Sequence, residues 1–182
     1  MYAVDRQVDL ISEALGTISA SESGQAAVRY AYRRGIPIIA SAADEESRHH
    51  NSPANYDHMI WVNSVTQGDG SLIGEEENGF ELLNGCTNYG GKAWVAIPSS
   101  ACSSEATGRA GGLTALLMSH AKNQIDRGLF TPYPGTGTPF SAEEVRQLLR
   151  ASARDVNQSD APYLEPAFVG TVLSFPLSAP AL

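Results

Sequence analysis

Cys102-Ser103-Ser104-Glu105-Ala106-Thr107-Gly108-Arg109-Ala110-Gly111-Gly112-Leu113-Thr114-Ala115-Leu116-Leu117 decides how the rest of the chain is read. It opens as a small polar turn and passes into a segment with almost no charge. Ala106, Ala110, Leu113 and Leu117 recur at helical spacing, and Ala115, Leu116 and Met118 fill the other faces. A helix apolar nearly all round is buried, so the pattern predicts a buried helix. Gly108, Gly111 and Gly112 each cost about 1 kcal/mol against Ala in a helix interior, and three of them suggest close approach by neighbouring backbone. Ser104 then lies at the helix N-terminus, where free N–H groups and the positive dipole end suit a developing negative charge. A serine there has two readings. It is a helix cap, or a nucleophile whose own N–H helps bind an oxyanion.

Composition bounds the answer. The 182 residues are 42% hydrophobic and 18% charged, a globular balance with enough chain for a sizeable core in one domain, 1–182. A net charge of −8 speaks against a nucleic-acid partner. No apolar run of about 18 residues occurs, so no membrane-spanning helix is expected. The start, Met1-Tyr2-Ala3-Val4-Asp5-Arg6, lacks the basic opening and apolar middle of a signal peptide, and the compartment stays open. Cys86 and Cys102 either pair or remain free.

Upstream of the central stretch, Val8 to Gly16 is a short apolar run without helical period, expected as a buried strand. A helix follows over about 24–34, with Ser21 or Ser23 as cap. Ala27, Val28, Ala31 and Tyr32 form its apolar stripe, and Gly35 is its stop. Ile36 to Ala40 is the next strand, with Pro37 near its first residue. Strand, helix and strand with short links imply a parallel sheet. His58 to Val65 reads as another buried strand. Gln67 to Asn84, rich in Gly and acid, reads as a surface excursion or hairpin. Phe130 to Phe140 is a loop. Ser141-Ala142-Glu143-Glu144 is a capping box that opens a helix with Val145, Leu148 and Leu149 inward. Asp155 to Leu182 is expected as loop and short strand with a frayed end. His49 and His50 lie near acids but fit neither a His-x₃-His helix nor a zinc ribbon, so no metal site is assigned. No Gly-rich phosphate loop opens any helix, so no cofactor is assigned. That absence also weighs against a flavodoxin-like α/β domain with a small-ligand role.

Taken in order, six of these segments resemble the subtilisin-like serine proteases, from about residue 8 to about residue 156. Ser103 to Gly112 is similar to the family motif Gly-Thr-Ser-x-Ala-x-Pro-x-x-x-Gly. Ser104 takes the nucleophile position, Ala106 the Ala and Gly112 the closing Gly. Cys102, Ser103 and Gly108 replace Gly, Thr and Pro. Val8 to Gly16 resembles the strand Asp-Val-Ile-Asn-x-Ser-Leu-Gly. Ala40-Ser41-Ala42-Ala43-Asp44-Glu45 resembles Ala-Ser-Ala-Gly-Asn-Glu, and Ser52-Pro53-Ala54-Asn55-Tyr56 resembles Tyr-Pro-Ala-x-Tyr. Asn88-Tyr89-Gly90 with Ala93 to Pro98 resembles Ser-Asn-Tyr-Gly and the Val-Asp-Val-Ala-Ala-Pro-Gly that follows it. The helix after Ser141 resembles Thr-Pro-x-x-Val-x-x-x-Leu.

The resemblance implies a three-layer α/β fold, a mostly parallel sheet with helices on both faces. It implies a serine endopeptidase in which Ser104 is the nucleophile and Asp44 holds the oxyanion position. The family has Asn there, whereas an ionised Asp has no proton to donate. At least one prohormone convertase of that family carries Asp at this place. Ala14, Leu15 and Gly16 would line the bound peptide, with Ala42, Glu45, Pro53 and Ala54 around its S1 pocket. The family's Asp-Thr/Ser-Gly and His-Gly-Thr motifs do not occur in these residues. The catalytic Asp and His are therefore expected from an upstream segment or a separate chain, and this chain alone is expected to be inactive. The substitutions at Cys102, Asp44 and Gly108 motivate a second reading, a degenerate protease domain kept for peptide binding or interaction.

Overall fold

The computed structural model describes residues 1–67, 81–89, 94–135, 137–155 and 171–172. The order is α1 (Tyr2–Asp5), β1 (Ile11–Glu13), α2 (Glu22–Arg33), β2 (Ile38–Ser41), β3 (Ile60–Gln67), β4 (Glu81–Leu83), β5 (Val95–Pro98), α3 (Ser103–Asp126), α4 (Ala142–Ser152), β6 (Arg154–Asp155) and β7 (Thr171–Val172). The strands form one sheet in the order β1-β2-β3-β5-β7-β6, with β4 set against the far end of β3. The neighbours from β1 through β7 run parallel, while β4 on β3 and β6 on β7 run antiparallel.

Alternation along the strands assigns the faces. Ile39, Ile60, Val62, Val95 and Ile97 pack with Ala106, Ala110 and Met118 of α3 and with Val145 and Leu149 of α4. Ile38, Ala40 and Trp61 point the other way, onto Val28 and Ala31 of α2 and Val4 of α1. The sheet is thus the middle of three layers. Both its faces are covered, as a parallel sheet of Ile and Val requires.

Local signals account for the element ends. Ser21 caps α2, accepting from the Gly24 N–H at 3.0 Å. Gly35, at φ 75°, takes the left-handed turn that stops it. Ser141 and Glu144 form both halves of the capping box of α4. Strand β1 is shorter than the 8–16 run, and β4 returns antiparallel on β3 as a hairpin would. Residues 68–80 between those two strands and 156–170 lie outside the described residues.

Helix α3 departs from the sequence expectation. It is buried on one side only. Leu116 is 68% exposed, Ala115 is exposed, and Leu113 and Leu117 are half-buried. Of its glycines, only Gly111 meets a neighbour, since a Cβ there would lie 2.9 Å from Ser12 Oγ on β1. Gly108 and Gly112 face open space. Close backbone approach therefore explains none of the three; one is fitted to a side chain and two are uncovered. No helix among the described residues is long and apolar enough to cross a membrane.

Candidate active site

Three segments leave the C-terminal edge of the sheet and meet there, the place where open parallel sheets hold ligands. Residues 14–16 continue from β1, 42–45 from β2, and 99–102 lead from β5 into α3. Ser41, the last residue of β2, faces α3. Its Oγ lies 2.6 Å from Ser103 Oγ and accepts from the Ala43 N–H at 3.1 Å. Ala43 then turns through φ 70°. That reversal carries Asp44 over the N-terminus of α3. There its Oδ1 accepts from the Ser103 N–H at 2.9 Å and from the Ser103 hydroxyl at 2.5 Å. Since the Ser103 proton goes to Asp44, Ser41 is the donor to Ser103.

Ser104 is exposed at the second position of the helix, and its Oγ donates to the Ala14 carbonyl at 3.1 Å. The N-cap is Cys102, with no side-chain cap bond, so Ser104 does not cap α3. Its own N–H belongs to the first helical turn, where no intrahelical carbonyl is available to it.

Glu45 is exposed as a residue, but its carboxylate is held at both oxygens. Oε1 accepts from Asn51 Nδ2 at 2.9 Å, and Oε2 accepts a short bond from Asn88 Nδ2. Both asparagines are buried. Asn88 also donates to the Ala42 carbonyl and accepts from the N–H groups of Glu45 and Ser47, so one buried side chain shapes the whole 42–47 turn.

The facing wall is built from 14–17 and 51–54. Thr17 and Ser52 exchange backbone bonds of 2.9 and 2.8 Å. A Cβ on Gly16 would lie 3.1 Å from the Ser52 carbonyl oxygen and 3.2 Å from Asn51 Cβ, so the close approach of the two segments favours glycine. Leu15, Gly16 and Pro53 line an open cavity of about 390 Å³ that runs beneath α2 to Val28 and Ala31. Ala14, Ala42, Glu45 and Ala54 are not part of its wall. Glu13 is, and burial raises its carboxyl pKa.

Cys86 and Cys102 form a disulfide with Cα atoms 5.6 Å apart, which settles the alternative the sequence left open. The bond ties the 84–88 loop to the turn before α3. Three of the four histidines have partners other than Ser104: His58 stacks on Tyr32, His50 meets the edge of Trp61, and His120 bonds Gln124. Among the described residues no three His, Cys, Asp or Glu side chains gather as a metal-ligand set.

Sequence reasoning named Asp44, Glu45 and Ser104 as site residues but missed Ser41, Asn51, Asn88 and Ser103, which bond to Asp44 and Glu45 or to the turn that carries them. Serines and asparagines carry no distinguishing local signal by themselves. Ser41, Ser103 and the buried Asn88 had one only in their places within motif-like segments.

The Subtilase family model matches residues 1–165. The thermophilic serine proteinase of Bacillus sp. (strain AK1) is 27% identical over 159 residues, which cover 77% of this chain and 37% of that protein. Thermitase of Thermoactinomyces vulgaris is 30% identical over 99 residues, 54% of this chain and 31% of that one. The chain therefore spans roughly a third of the length of these curated relatives. Among solved structures, the prenylagaramide maturation protease PagA superposes with a TM-score of 0.70 at 19% identity, covering 95% of this chain and 62% of that one. The PatG macrocyclase in complex with peptide gives 0.67 at 18% identity, covering 93% and 50%. Those two likenesses establish the shared fold. With the family match extending over 1–165, the chain belongs to the subtilase family.

Proposed function

We propose that this chain is the nucleophile-bearing part of a serine endopeptidase, with its catalytic His and Asp supplied by an upstream segment or a separate chain. The observation that carries the reading is the exposed Ser104 hydroxyl at the start of α3, bonded to the Ala14 carbonyl. The carbonyl belongs to the segment that would pair with a peptide, and this supports a nucleophile set beside the substrate strand. Ser104 Oγ attacks the scissile carbonyl while the supplied His takes its proton and then passes it to the leaving amine. The oxyanion forms beside the Ser104 N–H at the positive end of α3. Leu15 and Gly16 present backbone to the peptide as an added strand. In this reading Glu45 and Pro53 flank the P1 side chain, with the buried Ala42 and Ala54 behind them. The PatG macrocyclase, which shares this fold, holds a peptide in its complex, and that supports a peptide as the class of ligand here.

A second reading rests on Asp44. Its carboxylate occupies the N-terminus of α3 and has no proton to give an oxyanion, as a domain retained for binding alone would tolerate. A fluorophosphonate probe separates the two. Labelling of Ser104 in the chain combined with its His- and Asp-bearing part, lost in Ser104→Ala, is expected for the peptidase. No labelling in that combination leaves the binding role. The chain alone is expected to hydrolyse no peptide, because a serine hydroxyl without a base is too weak a nucleophile. Turnover by the purified chain that Ser104→Ala abolishes would refute the division of the active site.

A further inference from the structure

A nucleophile must be held within about 0.5 Å of its productive place, and the side chain that follows Ser104 is tied to the turn that precedes it. Glu105 does not extend into solvent. Its Oε2 turns back over the helix start and accepts from the Ala101 N–H at 2.7 Å, Ser99 Oγ at 2.9 Å and Ser100 Oγ at 3.2 Å. Its Oε1 accepts from Arg109 Nη2 at 2.5 Å, one turn further along α3. Arg109 Nη1 in turn donates to the Pro98 carbonyl at the end of β5, at 2.8 Å. One carboxylate therefore joins the strand end, the turn 99–101 and the first two turns of the helix.

The brace fills a gap in the capping. Cys102 supplies no side-chain bond at the N-cap, so α3 lacks the usual oxygen in its first turn. Glu105, the third helical residue, reaches back to the amide before the cap instead, the reverse half of a capping box. The Ala101 N–H is the main reason its carboxyl is held down to about 2, with the Ser99 hydroxyl, Arg109 and the Ser100 hydroxyl adding to it. Ala101 is itself fixed at its carbonyl by Asn84 Nδ2 at 2.8 Å.

We propose that Glu105, supported by Arg109, is the positioning residue for Ser104: it clamps the turn that delivers β5 into α3 and so fixes the hydroxyl against the Ala14 carbonyl. Its catalytic consequence rests on the peptidase reading, whereas the clamp itself exists without turnover. The experiment therefore has two arms. In the chain as it stands, Glu105→Gln leaves one acceptor oxygen for the Ala101 N–H, the Ser100 hydroxyl and Arg109, while the Ser99 hydroxyl keeps the Ala101 carbonyl at 2.6 Å, and it is expected to speed hydrogen exchange of the Ala101 amide about tenfold or more. Arg109→Ala is expected to act in the same direction and less, and it keeps the test open if the Gln variant does not fold. Exchange unchanged in both variants overturns the clamp.

The second arm uses the chain combined with its His- and Asp-bearing part. Glu105→Gln is expected to lower kcat about tenfold or more with KM within twofold, which a general loss of folded protein would not produce once active sites are titrated. An unchanged kcat in an enzyme that turns over, or equal damage to kcat and KM, overturns the positioning role. Absence of turnover in the parent enzyme defeats the peptidase reading instead, and the exchange arm still decides the clamp.

Discussion

Asp44 and Ser103 are joined twice through one oxygen: Oδ1 accepts both the N–H and the hydroxyl of Ser103, at 2.9 and 2.5 Å. The relation gives Asp44 a structural task at the N-terminus of α3, where a negative charge is favoured by about 0.3–1 kcal/mol. On the peptidase reading, the same charge would oppose an oxyanion formed one residue on. Asn at this position would keep the carbonyl oxygen for Ser103 and present an N–H₂ group to the oxyanion. Asp44→Asn is therefore expected to raise kcat of the complete enzyme at least tenfold, within the bound of about 10²–10³ that one such donor provides. The thermal midpoint should fall slightly. A kcat that stays level or drops would remove Asp44 from the oxyanion site.

The turn that delivers Asp44 is strained. Ala43 sits at φ 70°, a region that costs a residue with a Cβ about 1–2 kcal/mol. Glycine relieves that cost and adds about 0.5–1 kcal/mol of chain entropy to lose. Ala43→Gly is expected to stabilise the fold by about 0.5–1 kcal/mol, read as a higher midpoint in thermal or urea unfolding. A lower midpoint would mean that packing of the Ala43 methyl outweighs its backbone.

Much of this was legible in the chain. The run of β1, α2 and β2 follows from Ser21, the Val28 and Ala31 stripe and Gly35, because caps and periodicity act within a few residues. The box at Ser141 and Glu144 was equally local. The environment of α3 was not legible. Leu116 and Met118 look alike in sequence, yet one is 68% exposed and the other 1%. Composition gives no information about which face a neighbour covers. Nor does any local signal bring Asp44 to Ser103 or Asn88 to Glu45, since those pairs are made by sheet topology across distant segments. Asp44 and Ser104 were found through motif likeness, and the residues that hold them emerge only from the folded arrangement.

The disulfide offers a stability test. Cys86 and Cys102 close a loop with a sequence separation of 16, and cross-linking a loop of that size removes about 3 kcal/mol of unfolded-state freedom. Reduction, or replacement of both cysteines by serine, is expected to lower unfolding stability by about that amount. The reductant should have no effect on the double variant. Equal stability of oxidised and reduced protein would show that the loop is already ordered by other bonds, such as Asn84 on Ala101.

The last expectation concerns the P1 side chain. Asp44, Glu45 and Glu46 are consecutive and exposed, and they lie beside the site proposed for it. Exposed acids on mobile side chains contribute little, because water and salt screen them. Glu45 differs, since the amides of the buried Asn51 and Asn88 bind one oxygen each and fix the charge in place. A fixed carboxylate needs no further ordering to meet a cation, and it repels an acidic P1 residue. The complete enzyme should therefore cleave after Lys or Arg in preference to Leu. Glu45→Gln should reduce that preference several-fold, with little change for Leu. The measurement is kcat/KM across a P1 series at two salt concentrations. The basic preference should weaken at the higher one. Equal cleavage after Lys and Leu in the parent, unmoved by Glu45→Gln, would show that Glu45 serves the 42–47 turn alone.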